Sequence, residues 1–326
     1  IKKISKKENI SVVGVDIGGA TTDVFSMFNG KFNRTVSANL GMSYSICNVL
    51  AESGYDEISK WLPFNIDEED LTDRISNKMI RPTTIPQSME ELIIEQALAR
   101  EALRLSFDQH KQFAVSLKGV QQKRTISEAF EQSSSGRTLV NMRDLDLIVG
   151  SGGVLSHAPR RNQSFMMMVD SFKPEGITQI AVDSIFMMPQ LGVLSSIHDE
   201  AAIEVFNKDC LVRLGTSINP ICKSKTENVE LFDYSFLYKG ESFKGSIVAN
   251  QVKLLSIPYE KVEFKLVPTK NIDLGNGFGE EVMVDIFGGE VGIMLDGRIK
   301  DLSGNIYIKD KNMVSDWYNK IKVYNL

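Results

Sequence analysis

The chain has 326 residues and a formal net charge of -5, with 42% hydrophobic and 24% charged residues. That is the composition of a globular protein with room for about two domains. It offers no basic footprint for nucleic acid, and no apolar run approaches the ~18 residues of a membrane-spanning helix.

Lys2, Lys3, Lys6 and Lys7 open the chain as a solvated basic end. No apolar stretch follows them, so they are not the start of a secretory signal. Residues 11–17 (Ser-Val-Val-Gly-Val-Asp-Ile) are β-branched and bounded by Gly18-Gly19, which predicts a buried strand. Residues 22–28 predict a second strand, Asn29-Gly30 a two-residue hairpin turn, and residues 31–37 a third strand. A helix is expected over 44–52. From 54 to 141 prolines (Pro63, Pro82, Pro86) and dense charge change the character. Ser88 with Glu91 forms a capping box, and Met89, Leu92, Ile93, Ala97 and Leu98 recur at helical spacing, so a helix is expected to about Phe107. Residues 131–136 read as a loop. The whole of 54–141 is expected to be a helical insertion in an α/β domain.

The α/β pattern resumes at 145. Residues 146–150 predict a strand, Ser151-Gly152-Gly153 a tight turn, and the following helix carries Pro159 at an early position. A strand over 178–182 ends at Asp183, and a helix is expected over 189–206. Strand–helix alternation implies parallel pairings. Beyond about 220, Val262, Phe264 and Leu266 alternate with polar residues, as do Val282, Val284 and Ile286. Turns are expected at Gly288-Gly289, Asp296-Gly297 and Ser303-Gly304, and a short helix over 314–320, in a mainly antiparallel β region.

The loop Asp16-Ile-Gly-Gly-Ala-Thr-Thr-Asp23 joins two of these strands. Its glycines let backbone N–H groups approach an anion, and Thr21 and Thr22 bring hydroxyl donors. Asp16 and Asp23 repel phosphate, so a Mg²⁺ ion held through water is the natural mediator. A strand–loop–strand setting excludes the P-loop and Rossmann turns, which open helices. The alternative is an ordinary glycine turn in a hairpin. Gly150, Gly152 and Gly153 make a second turn between strand and helix, weak alone but placed after the helical insertion.

In this order the two loops resemble the second phosphate motif and the adenosine motif of the actin/Hsp70/sugar-kinase superfamily. The strand ending at Asp183 and the helix after it look like the element closing that nucleotide-binding lobe. The fold implied is α/β: a ribonuclease-H-like lobe of the actin/Hsp70 ATPase fold over 1–53 and 142–222, a helical insertion subdomain over 54–141, and a mainly β C-terminal region over 223–326. The resemblance implies that Asp16 organises Mg²⁺ and the attacking water, with Asp23 beside it. It places Gly18, Gly19, Thr21 and Thr22 on phosphate, and Gly150, Gly152 and Gly153 on the adenosine of ATP or ADP.

Longer stretches narrow the match. Asp16 to Ser26, Asn39-Leu-Gly-Met-Ser-Tyr44, Leu147 to Pro159, Asp183 to Leu194, Gly275-Asn-Gly-Phe-Gly279 and Phe287-Gly-Gly-Glu290 look like the MutL/GlmL family. The resemblance implies an ATP-dependent reactivating chaperone that ejects damaged cobalamin from an adenosylcobalamin-dependent mutase such as glutamate mutase. The superfamily has two related lobes, and only ten residues precede Ser11. The N-terminal lobe is therefore expected to be absent, the chain to be a C-terminal fragment, and its own nucleotide binding and hydrolysis to be weak. Two other readings stay open: a small-molecule kinase or ATP-dependent hydrolase of the superfamily, for which no catalytic base stands out, and a non-catalytic actin-like structural protein.

Cys47, Cys210 and Cys222 are odd in number and lack CxxC spacing, which argues for a reduced, cytoplasmic setting and against a disulfide framework. His110, His157 and His198 lie far apart, with no partner at metal-ligand spacing. Met166-Met167-Met168 suit core packing or a partner surface. Arg160-Arg161 read as a solvated pair, with a phosphate or a partner's carboxylates as the alternative, and His157 as a polar loop residue, with a ribose contact as the alternative; the charges of 90–108 read as a solvated face.

Overall fold

The computed structural model describes residues 1–115, 138–223, 229–300 and 306–324. α1 (Lys2–Glu8) precedes β1 (Val12–Ile17), β2 (Thr22–Phe28) and β3 (Lys31–Ser37). The expected basic end is thus a helix, its lysines exposed and Ile4 buried. β1 pairs antiparallel with β2, and β2 with β3. Asn29 and Gly30 both have positive φ, 48° and 75°, as a type I′ hairpin turn requires.

Four helices follow: α2 (Ile46–Ser53), α3 (Tyr55–Ser59), α4 (Glu68–Ile80) and α5 (Met89–Phe113). Ser88 caps α5 by accepting from the Glu91 amide at 3.2 Å, while the Glu91 carboxylate accepts from the Gln87 amide at 2.6 Å. α5 runs past Phe107 because its buried face continues to His110. The His110 ring bridges two strands, with Nδ1 2.9 Å from Thr35 Oγ1 and Nε2 2.7 Å from Ser26 Oγ. Burial pushes its imidazole down to about 4. The unfolded chain, with an ordinary imidazole near ~6.5, takes up a proton that the fold refuses. Stability is therefore expected to fall as pH drops from about 6.5 through 4, by on the order of 3 kcal/mol from this group. Urea unfolding at pH 7 and pH 4.5 checks this, and His110→Gln should flatten the difference.

β4 (Leu147–Ser151) is followed by a one-turn α6 (Gly153–Ser156) and by α7 (Arg161–Phe172). Pro159 precedes the N-cap, Arg160, and so lies just outside the helix. Met166, Met167 and Met168 are all fully buried. Three consecutive residues can all be buried because α7 is enclosed on every side, by the sheet and by α5. They share one hydrophobic cluster with Val13, Val15, Leu98 and Ala102. β5 (Gly176–Asp183) leads to α8 (Met188–Leu194) and α9 (Asp199–Val205), where a single helix was expected. The Ser195 and Ser196 hydroxyls donate to the carbonyls of Gly192 and Val193 at 2.8 and 2.7 Å. Such local bonds compete with helix continuation. A π-turn over Phe206–Cys210 then enters β6 (Leu211–Asn219).

The remaining elements are β7 (Ile221–Cys222), β8 (Glu230–Tyr238), β9 (Glu241–Val248), β10 (Val252–Leu255), β11 (Lys261–Pro268), β12 (Ile272–Asp273), β13 (Val282–Phe287), β14 (Gly292–Asp296) and α10 (Lys311–Lys320). The alternation in β11 buries Val262, Phe264 and Leu266 in an antiparallel sheet of order β13-β11-β8-β9. The large sheet runs across the expected boundary at 222: its order is β10-β14-β6-β5-β4-β1-β2-β3, and β10 and β14 come from beyond that residue. β14 pairs parallel with β6, and β10 antiparallel with β14. The expected loop at 131–136 and the turn at Ser303-Gly304 lie outside the described residues.

The result is an α/β protein with helices on both faces of a mixed sheet. Val13, Val15 and Ile17 face α5 and α7; Val12, Leu147 and Ala181 share a cluster with Ile4 of α1 and Leu191 of α8. A buried ionic cluster ties the first face to the C-terminal region. Asp170 of α7 accepts from Arg100 Nε of α5 and from Arg298 Nη1, each at 2.7 Å. Arg298 also forks onto Asp296 at 2.9 and 2.8 Å.

Candidate functional site

β1, β4 and β5 run parallel, so their carboxyl ends form one edge. In open α/β sheets that edge is where ligands gather. Asp16 lies beside Ser151 in the β1–β4 register, and Asp183 ends β5. Burial holds the Asp16 carboxyl above its usual range, and the negative charges of Asp23 and Asp183 push the same way; a hydrogen bond with Ser151 pulls it partly back. A carboxyl in that setting gains from a nearby cation.

The loop after Asp16 has its carbonyls fully engaged. Gly18 O accepts from the Met42 amide at 2.9 Å, and Gly19 O from the Ser43 and Tyr44 amides at 2.8 and 2.9 Å. Ala20 O accepts from the Ser45 hydroxyl at 2.8 Å, and Thr21 O from the Gly18 amide at 2.9 Å. Among the described residues, the amides of Gly19, Ala20 and Thr21 have no such partner. Segment 40–45 thus turns the carbonyls inward, leaving an array of N–H groups suited to an anion. The seating is tight: a Cβ on Gly41 would lie 2.5 Å from the Ala20 backbone.

The second glycine turn touches the first. Gly152 has a φ of 105°, and a Cβ there would lie 2.1 Å from the Ile17 carbonyl oxygen. Only glycine permits both the conformation and the contact. Gly150 serves packing, since a Cβ would meet the Met168 sulfur at 2.6 Å, whereas Gly153 faces open space. Asp16, Gly18, Gly19, Thr21, Asp23, Gly152 and Gly153 are therefore gathered at one edge. Thr22 is different: it is fully buried, and its hydroxyl donates to the Leu40 carbonyl. Thr21 is half-buried, and among the described residues its hydroxyl has no hydrogen-bond partner. Asp23 is paired, its Oδ1 accepting from Arg34 Nε at 3.2 Å and Nη2 at 3.0 Å.

A cavity of about 510 Å³ reaches Asp16 and Asp23 from the face covered by α1, α8 and α9, with Ile4, Phe25, Met188 and Leu191 among its walls. Among the described residues no three His, Cys, Asp or Glu side chains are grouped to hold a metal. Asp183, Ser151 and Arg34 were not singled out as site residues from sequence. Asp183 carried the same signal as Asp16, an acid closing an apolar strand; Arg34 becomes visible only through strand pairing.

Comparison with known proteins adds two findings. A family model described as "MutL protein" matches residues 1–210, which hold every site residue named above. Protein MutL of Clostridium tetanomorphum is 25% identical over 219 residues, a match covering 60% of this chain and 44% of that relative. The chain thus matches less than half the length of its curated relative.

Proposed function

The chain belongs to the MutL protein family, and on that basis we propose that it carries the phosphate- and adenosine-binding lobe of an ATP-dependent, cytoplasmic accessory factor for an adenosylcobalamin-dependent mutase such as glutamate mutase. The observation that carries the reading is the Asp16 loop, with its carbonyls engaged and its amides free, joined to the Gly152 turn by backbone contact. The strand order β3-β2-β1-β4-β5, with β2 alone running against the other four strands, supports a ribonuclease-H-like lobe.

In this reading the amides of Gly19, Ala20 and Thr21, with the Thr21 hydroxyl, receive phosphate oxygens. Thr22 holds the loop to Leu40 and supports the site from behind. Asp16 fits a Mg²⁺ ion held through water: among the described residues no cation pairs with its carboxyl, whereas Asp23 is committed to Arg34. Such an ion would neutralise phosphate charge, and Asp16 would orient a water beside it. Nucleotide binding coupled to docking on the mutase would then drive exchange of damaged cobalamin.

Calorimetry with Mg²⁺ and ADP tests the site. Asp16→Asn is expected to weaken Mg²⁺-dependent ADP binding at least tenfold, and native binding should weaken on acidification as Asp16 takes up its proton. The functional assay is ATP-dependent recovery of an inactivated mutase supplied with fresh adenosylcobalamin. If native protein and Asp16→Asn restore turnover equally, the reading is wrong.

A further inference from the structure

The loops leaving β1 and β4 account for two of the three parallel strand ends. The loop leaving β5, residues 184–187, remains. Phe186 there has a φ of 57°, a left-handed conformation that bulky residues rarely adopt and that persists only where neighbours enforce it. Asp183 enforces it from both sides: Oδ1 accepts from the Ile185 amide at 3.2 Å and Oδ2 from the Met188 amide at 2.9 Å. The Ser156 hydroxyl donates to the Asp183 carbonyl at 2.6 Å, fastening the end of the glycine turn to the same residue. His157 follows Ser156 directly.

These constraints bring the rings of Phe186 and His157 to 5.0 Å, edge to face at 65°. His157 is exposed and Phe186 half-buried. Neither belongs to any of the three hydrophobic clusters of the core, so core packing does not explain why an aromatic residue occupies a glycine-like conformation. The pair stands about two strand spacings, ~10 Å, from the loop that follows β1, a separation on the scale of a nucleoside. One exposed and one half-buried ring leave aromatic surface available to a flat heterocycle.

We infer that Phe186 and His157 form the base-contacting wall of the nucleotide site, with Asp183 as the residue that positions Phe186. This rests on the nucleotide reading above and goes beyond it by giving the site a preference for a nucleoside over bare phosphate. Stacking of a base on an aromatic ring commonly changes affinity by about tenfold or more.

The test is calorimetry of the whole chain with Mg²⁺ and either ADP or pyrophosphate. Phe186→Gly suits the left-handed backbone, so its Tm should equal or exceed that of the native protein. It should nevertheless lose about tenfold in ADP affinity while binding pyrophosphate as before, and Phe186→Tyr should recover the loss. Unchanged ADP binding in Phe186→Gly, or an equal loss for both ligands, overturns the assignment while the nucleotide site stands. If the native chain binds neither ligand, the nucleotide reading fails and this inference fails with it.

Discussion

Replacing Asp170 by alanine is expected to lower the unfolding free energy by about 3–5 kcal/mol. Its carboxylate is completely buried and serves two guanidiniums, Arg100 and Arg298. Removing it leaves Arg100 buried without its carboxylate and Arg298 with Asp296 alone. Among the described residues no spare acceptor stands by, since Arg100 Nη2 already lacks a hydrogen-bond partner. The faces of Trp61 and Tyr318, 5.6 and 5.5 Å from the Arg100 guanidinium, offer only partial compensation. Urea unfolding with an unchanged m-value would report this loss as stability alone. The control is Asp316→Ala, which removes a half-exposed partner of Lys320 and should cost no more than about 1 kcal/mol. Equal effects of the two substitutions would show that the buried cluster is not the tie it is taken to be.

Gly152→Ala is the second change with a large expected effect. The glycine-only backbone and the collision with the Ile17 carbonyl each cost roughly 1–3 kcal/mol. Because Ile17 leads directly into Gly18, relief of the collision has to move the loop. In the proposed nucleotide site, ADP binding should therefore fail even in the fraction of protein that folds. Gly153→Ala, one residue on, meets open space and should change stability by less than about 1 kcal/mol. Thermal unfolding and calorimetry on both variants separate a backbone requirement at residue 152 from a general need for glycine in the turn.

Much of the first sheet could be read directly. β2 and β3 begin and end where their residues predict, because Asn29-Gly30 is a local turn signal and the register follows from it. The capping box at Ser88 marked the start of α5 for the same reason. Non-local features were harder. β6 is buried along most of both faces, so no alternation marks it, and its neighbour β14 is distant in sequence. The break between α8 and α9 depends on serine hydroxyls choosing carbonyls within the helix. At the candidate site, the positions of Asp16 and of the glycine turns at the strand ends were legible from residue type alone. That Thr22 faces inward, and that Gly150 answers to Met168, emerged only once strand and helix were packed together.

The pairing of β6 with β14 also bears on how the chain is made. All of the four-stranded sheet is synthesised between these two neighbours. At a synthesis rate of ~5–20 residues per second, β6 emerges several seconds before β14 can cover it. During that time a strand with a hydrophobic surface presents an unpaired edge, the feature most prone to mispairing with another chain. Holding factors on the nascent polypeptide should therefore bind it most strongly after β6 has emerged and let go when β14 arrives. Chains arrested before Gly292 should therefore aggregate more than the full-length chain does.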